Sequence, residues 1–200
     1  MVPRRRRCCA AKVAPHGAWR DIAGPAPGPM DPDYDYMTFP EVVASAVDAY
    51  AQAGIKDPRQ ALAMAEVHDC FTPTELVLME DLGFAARGTA WKEVLAGTFD
   101  LDGELAVNPD GGLKSFGHPI GASGLRILFE AWLQLRGEAG KRQIASVARG
   151  RRLALTHNPG GAPGECVSLV GIVGSEPSVA SRVRPAVLSP ASHRTRKATT

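Results

Sequence analysis

Between residues 38 and 174 the sequence alternates apolar periodic segments with Gly and Pro stops, and this alternation narrows the fold class most. Thr38 and Glu41 stand at Ser/Thr-x-x-Glu spacing, with Pro40 suited to a first helical turn. The spacing predicts a helix to about Ala53, with Val42, Val43, Ala46, Val47 and Tyr50 on its apolar side and Gly54 as the stop. Residues 62–67 form a short apolar run, and periodicity cannot tell a strand from a helix end over so few positions. Thr72 and Glu75 repeat the capping spacing and start a helix through Leu76, Val77, Met79 and Leu82 toward Gly83. Residues 91–96 read as a short helix and residues 100–122 as a long loop. The strongest amphipathic pattern covers residues 125–136, with Leu125, Leu128, Phe129, Trp132 and Leu135 three or four apart and Gly137 as the stop. Two strand-like runs, 153–156 and 167–173, flank a Gly/Pro turn at 158–164 and suggest an antiparallel hairpin. The order helix, strand, helix, helix, hairpin fits an α/β layer.

The flanks differ. Residues 1–37 are rich in Arg, Pro, Gly and Ala, and the run Gly24-Pro25-Ala26-Pro27-Gly28-Pro29 cannot hold a helix or a central strand. Residues 175–200 return to Ser, Pro, Arg and Thr. Both are expected to be disordered, the second as a basic tail. The chain has 200 residues, 44 % of them hydrophobic, which supports a sizeable core in the middle segment. A net charge of +2 points to no particular partner, and the Arg clusters at both ends read as solvated tails, so no nucleic-acid partner is expected. No stretch approaches the ~20 apolar residues of a membrane span. Arg4 to Arg7 are not followed by the apolar run of a signal peptide. Four cysteines do not make a disulfide scaffold in a chain of this size, so a reducing cytoplasm with free thiols is expected.

Three polar clusters fall at element ends. In His68-Asp69-Cys70-Phe71 a thiol with a reference pKa of ~8.5 sits just before a helix start, where it can act as proton shuttle or nucleophile; a small buried thiol beside an N-terminal histidine is the plain alternative. In Gly117-His118-Pro119-Ile120-Gly121-Ala122-Ser123-Gly124 the glycines allow close backbone approach to a ligand, and His118 is a candidate base or oxyanion donor. The spacing is neither that of a dinucleotide loop nor that of a nucleophile elbow, and a glycine-rich packing turn is the alternative. His157-Asn158-Pro159-Gly160-Gly161 offers glycine amides for an anion, or is simply a turn. With no C-x-x-C and with H-x-C an unusual ligand pair, no metal site is expected. Cys166 reads as core.

Together, in this order and with Asn108-Pro109-Asp110-Gly111-Gly112 ahead of the second cluster, these motifs resemble the C-terminal half of a thiolase, in the branch of sterol-carrier-protein-type thiolases and related acetyl-CoA acetyltransferases. The resemblance covers residues 38–174. It implies an α/β fold, a mixed sheet with helices packed on it, and condensation or cleavage of acyl-CoA thioesters with coenzyme A thioester as substrate and no resident cofactor. It implies that His118 activates an acyl-carrying cysteine and helps bind the thioester oxygen. By the same resemblance His68 takes the position at which other thiolases hold a water with Asn, Cys70 is the acid/base thiol, and the Gly160 amide lines a second oxyanion hole. Neither Cys8 nor Cys9 resembles the family's nucleophile segment, and the stretch before Thr38 shows no start of the half's sheet. The basic stretch 144–152 and the overrun 175–200 depart from the pattern. The expectation is therefore an acyltransferase half completed by an N-terminal half or a partner chain in a homo- or hetero-oligomer, inactive alone, with an uncovered apolar face. A non-catalytic pairing subunit and a thiolase-like steroid-CoA lyase are the alternatives.

Overall fold

In a computed structural model, which describes residues 18–23, 32–161 and 166–174, the fold grows around strand β2 (Leu62–Glu66), buried at every position. That burial resolves the ambiguous apolar run as a strand: both edges are paired and both faces are covered, so it shows no alternation. β2 pairs in parallel with β3 (Ala106–Val107) on one side and with β4 (Leu153–Gly160) on the other. β4 pairs antiparallel with β5 (Val167–Gly174), as the hairpin pattern predicts. β5 in turn pairs antiparallel with β1 (Ala18–Ala23), so the mixed sheet has the order β1-β5-β4-β2-β3.

Parallel neighbours require crossovers. Helices α1 (Pro40–Ala53) and α2 (Pro58–Ala61) precede β2, while α3 (Thr72–Asp81) and α4 (Ala90–Leu95) carry the chain from β2 to β3. Helices α5 (Gly112–Phe116), α6 (Ser123–Arg136) and α7 (Ala145–Ala148) carry it from β3 to β4. Val42 and Ala46 of α1 pack with Leu78 and Leu82 against Leu155 and Ile172 on one face. On the other face, Ala131 and Leu135 of α6 and Ile144 pack on Met64 and Ala154.

Several sequence expectations need correction. Residues 18–23, read within a disordered segment, form β1, with Ala18 opposite Ile172 and Ala23 opposite Val167, so the sheet does begin before Thr38. An edge strand needs partners along one side only, and Ala-Trp-Arg-Asp-Ile-Ala shows no period-two alternation to announce it. Residues 32–37 form turns and extended chain leading into α1. Residues 1–17 and 24–31, and the tail 175–200, lie outside the described residues. The presumed loop 100–122 contains β3 and α5, elements too short for periodicity to detect.

The hairpin turn is shorter than expected, because β4 runs on through Asn158 and Pro159 to Gly160. β2 pairs with β4 only as far as Thr156, so residues 157–160 overhang with one edge free, and Pro159 lacks an N–H that the ladder to β2 no longer needs.

Neither capping box closes locally. Asp81, the last residue of α3, accepts the Phe39 N–H at 2.7 Å and the Thr38 hydroxyl at 2.8 Å, so α1 is capped from across the fold. Val47 of α1 is exposed. In α6 the expected apolar stripe is partly turned outward, with Leu125 71 % and Phe129 51 % exposed, while Glu130 and Gln134 are buried. Arg142 pairs with Glu130 at 2.7 Å, and Gln134 accepts the Ile144 N–H at 3.0 Å, so these polar groups hold down the turn after α6.

Candidate active site

The site forms at the carboxyl ends of β2 and β4, where open α/β sheets hold ligands. Beyond Glu66 the chain delivers His68, Asp69 and Cys70 before α3. Asn108, with a left-handed φ of 49°, secures this exit. Its Oδ1 accepts the Val67 N–H at 2.8 Å, its Nδ2 donates to Glu75 Oε1 at 3.0 Å, and its N–H donates to the Ala65 carbonyl at 2.9 Å. Asp69 is buried and accepts the Leu113 N–H at 2.8 Å, which bolts the His68–Cys70 loop to α5. Gly112 has φ +64° and faces Asp69 so closely that a Cβ there would collide with its carboxylate. Lys114 donates to the Cys70 carbonyl at 2.7 Å.

His68, Cys70, His118 and Gly160 all line one cleft of about 540 Å³, walled by Phe39, Phe71, Ile120 and Pro159. The rings of His68 and His118 meet edge to face, centroids 4.8 Å apart. His68 donates from Nδ1 to Asn158 Oδ1 at 3.0 Å, leaving Nε2 as the lone-pair nitrogen of the neutral ring. The Ser123 hydroxyl donates to the Pro119 carbonyl at 3.2 Å, so it accepts from His118 Nδ1 at 2.7 Å. His118 Nε2 is then the basic nitrogen.

Burial, and next to it the proximity of His118, hold the His68 pKa below the ordinary histidine value, although the Asn158 bond pulls the other way. Burial raises the Cys70 thiol, against the opposing pull of the Phe71 N–H and Lys114, so it rests protonated. Cys166 lies in the same wall, pushed up to about 11 by burial and by the Glu41 carboxylate beside it, as befits a structural thiol. His157 is fully buried, with Nε2 3.3 Å from Ser168 Oγ, and belongs to the core. Sequence reasoning singled out the four cleft residues but passed over Asn158, Ser123 and Asp69; an Asn ahead of Pro-Gly and a Ser five residues after His118 were the available signals. Among the described residues no group of three or more His, Cys, Asp or Glu side chains is placed to hold a metal ion.

Residues 31–170 match the family described as thiolase C-terminal domain-like. The chain belongs to this family. A stretch of 101 residues is 46 % identical to an acetyl-CoA acetyltransferase of Methanothermobacter thermautotrophicus, covering 50 % of this chain and 25 % of the relative. A stretch of 111 residues is 41 % identical to sterol carrier protein 2 of Bos taurus, covering 56 % of this chain and 19 % of the relative. This thiolase C-terminal domain thus spans about a fifth to a quarter of the length of these curated relatives. Among solved structures it resembles a chain of the Ltp2-ChsH2(DUF35) aldolase, with TM-score 0.58 and 24 % identity over 78 % of this chain and 38 % of that one, a likeness of fold. No helix among the described residues is long and apolar enough to cross a membrane.

Proposed function

We propose that this chain is the C-terminal catalytic half of a thiolase-type acyltransferase, an acetyl-CoA acetyltransferase or 3-ketoacyl-CoA thiolase. The observation that carries the reading is the meeting of His68, Cys70 and His118 in one cleft, with Gly160 in the same wall. Coenzyme A thioester is the substrate and no resident cofactor is needed. The acyl-carrying cysteine comes from an N-terminal half or a partner chain. His118 Nε2 takes that thiol's proton and, once protonated, donates to the thioester oxygen. That thiolate adds to C3 of a 3-ketoacyl-CoA; the bond between C2 and C3 then breaks, leaving the acyl group on the sulfur, from which coenzyme A later takes it, and the electron pair on C2 as an enolate. His68 Nε2 accepts a hydrogen from a water whose other hydrogen faces the enolate oxygen, and the Gly160 amide serves the neighbouring hole. Cys70, protonated at rest, gives its proton to C2, and the incoming coenzyme A thiol restores it.

The completing half sits against the outward stripe of α6, where Leu125, Leu128, Phe129 and Trp132 line a groove of about 350 Å³. A homo- or hetero-oligomer follows, in a cytoplasmic setting that keeps Cys70 a free thiol.

The test follows the enolate absorbance of acetoacetyl-CoA in the presence of coenzyme A. The chain alone is expected to give no turnover, and the chain with a thiolase N-terminal half is expected to give turnover that Cys70→Ala and His118→Ala abolish. Steady turnover by the chain alone overturns the need for completion; turnover indifferent to Cys70 overturns its role.

A second reading, a thiolase-like lyase, is favoured by one observation: the two thiols among the described residues are Cys70, which rests protonated, and the buried Cys166. Retro-aldol cleavage of a 3-hydroxyacyl-CoA produces the same enolate and needs no acyl-carrying thiol. Product formation from such a substrate without free coenzyme A decides for the lyase.

A further inference from the structure

We propose that Arg126 is the positioning residue for His118. Residues 117–122, which carry His118, are exposed throughout. Their backbone bonds stay local: Gly117 N–H to the Leu113 carbonyl at 3.0 Å and Ala122 N–H to the Pro119 carbonyl at 2.7 Å. The polar partner of the His118 ring, Ser123, belongs to α6. The ring's place therefore depends on how α5 stands against α6.

One side chain grips both ends of α5 from the first turns of α6. Arg126 Nη2 lies 3.0 Å from Asp110 Oδ2, and the other oxygen of Asp110 accepts the Gly112 N–H at 2.8 Å, so the carboxylate is itself fixed to the start of α5. The guanidinium carbon lies 4.5 Å from the ring centroid of Phe116, the last residue of α5 and two before His118. A planar, charged group can stack and pair at once; a lysine ammonium cannot. The Asp110 side chain is buried, and the buried Glu66 and Glu130 carboxyls lie in the same cluster, so losing Arg126 takes from Asp110 its ion-pair partner and leaves Arg142, already bonded to Glu130 at 2.7 Å, as the remaining counter-charge. The relief is movement of the 108–116 segment and, with it, of His118 away from Ser123.

The catalytic consequence rests on the reading of His118 as the base, but the geometry can be tested without turnover. In the full chain labelled with 15N at the histidine rings, the wild-type His118 nitrogens are expected to be well separated, with the proton on Nδ1. Arg126→Met is expected to draw these two resonances toward each other as the tautomers average, while His68, held by Asn158, and His157, held in the core, keep theirs. Arg126→Lys is expected to be intermediate. Phe116→Leu, which removes the stacking face but leaves the ion pair, is expected to move His118 in the same direction by less, and it decides the matter alone if Arg126→Met does not fold. An unchanged His118 signature in the folded variant overturns the proposal, as does an equal shift of His68, His118 and His157 together, which marks a merely structural role. If His118 loses its tautomer yet the completed enzyme turns over as before, the positioning role stands and the reading of His118 as base falls.

Discussion

The side-chain oxygen of Asn158 decides which nitrogen of His68 is left for the cleft, because it takes the proton on Nδ1. That bond also favours the charged ring, against burial and the neighbouring His118. Asn158→Ala is therefore expected to lower the His68 pKa further, read by NMR titration of the ring; a rise would show that the bond does not act as described. His157 makes the opposite use of an imidazole. Burial, and then the nearby His68, depress it to about 3, so it is neutral in the fold. The unfolded chain binds a proton near the reference value of ~6.5 while the folded one does not, so stability falls as pH drops through this window, by on the order of 4 kcal/mol at its lower end. His157→Gln is expected to flatten the dependence of urea unfolding on pH between 4 and 7, and an unaltered slope would count against the assignment. His68, Cys70, His118 and Gly160 were legible because each sits in a short motif. Asn158, Ser123 and Asp69 were not, because their work is to accept or donate across 5 to 90 positions of sequence, which no spacing rule records.

Elements were legible where a period had room to repeat. The bodies and glycine stops of α1 and α6 follow from spacing, and both stops adopt left-handed φ, 70° at Gly54 and 74° at Gly137. Their faces and starts were less so, since those depend on what lies opposite. The Thr38 and Glu41 pattern marks the start of α1, but the Phe39 N–H is satisfied by Asp81, and Glu41 turns inward beside Cys166. Asp81 also pairs with Arg87 at 2.5 Å, so one carboxylate joins the N-terminus of α1 to the end of α3. Asp81→Ala is expected to cost about 1–2 kcal/mol in urea unfolding, the upper part of the range for a lost cap, because Thr38 and Arg87 lose their acceptor as well. An effect below ~0.5 kcal/mol would mean that water replaces the carboxylate freely. β1, β3 and α5 escaped notice for a different reason: β3 and α5 are too short for a period to repeat, and β1 is an edge strand without alternation.

For the whole molecule, the outward stripe of α6 links the sequence reading to the proposed assembly. The strongest amphipathic pattern in the chain predicts a helix buried along Leu125, Phe129 and Trp132, yet the sheet receives the adjoining face that carries Ile127, Ala131 and Leu135. The inner contacts use Ala131 for close approach and Glu130 and Gln134 for hydrogen bonds, which leaves the larger apolar groups for a second surface. If that surface is the completing half, Leu125 and Phe129 contribute to association and not to the stability of the isolated chain. The double variant Leu125→Asp, Phe129→Asp is then expected to leave thermal unfolding of the chain nearly unchanged, since both side chains are already largely in water. Burying the two residues is worth about 1.5–3 kcal/mol each, so even half of that sum lost weakens binding of a thiolase N-terminal half by roughly 10- to 100-fold. Calorimetric titration of the half into each protein reads the affinity, and sedimentation of the chain alone reads self-association, which the same substitutions are expected to reduce. Equal affinities for wild type and variant would remove α6 from the assembly surface, while a large drop in melting temperature would show that the stripe already packs within this chain.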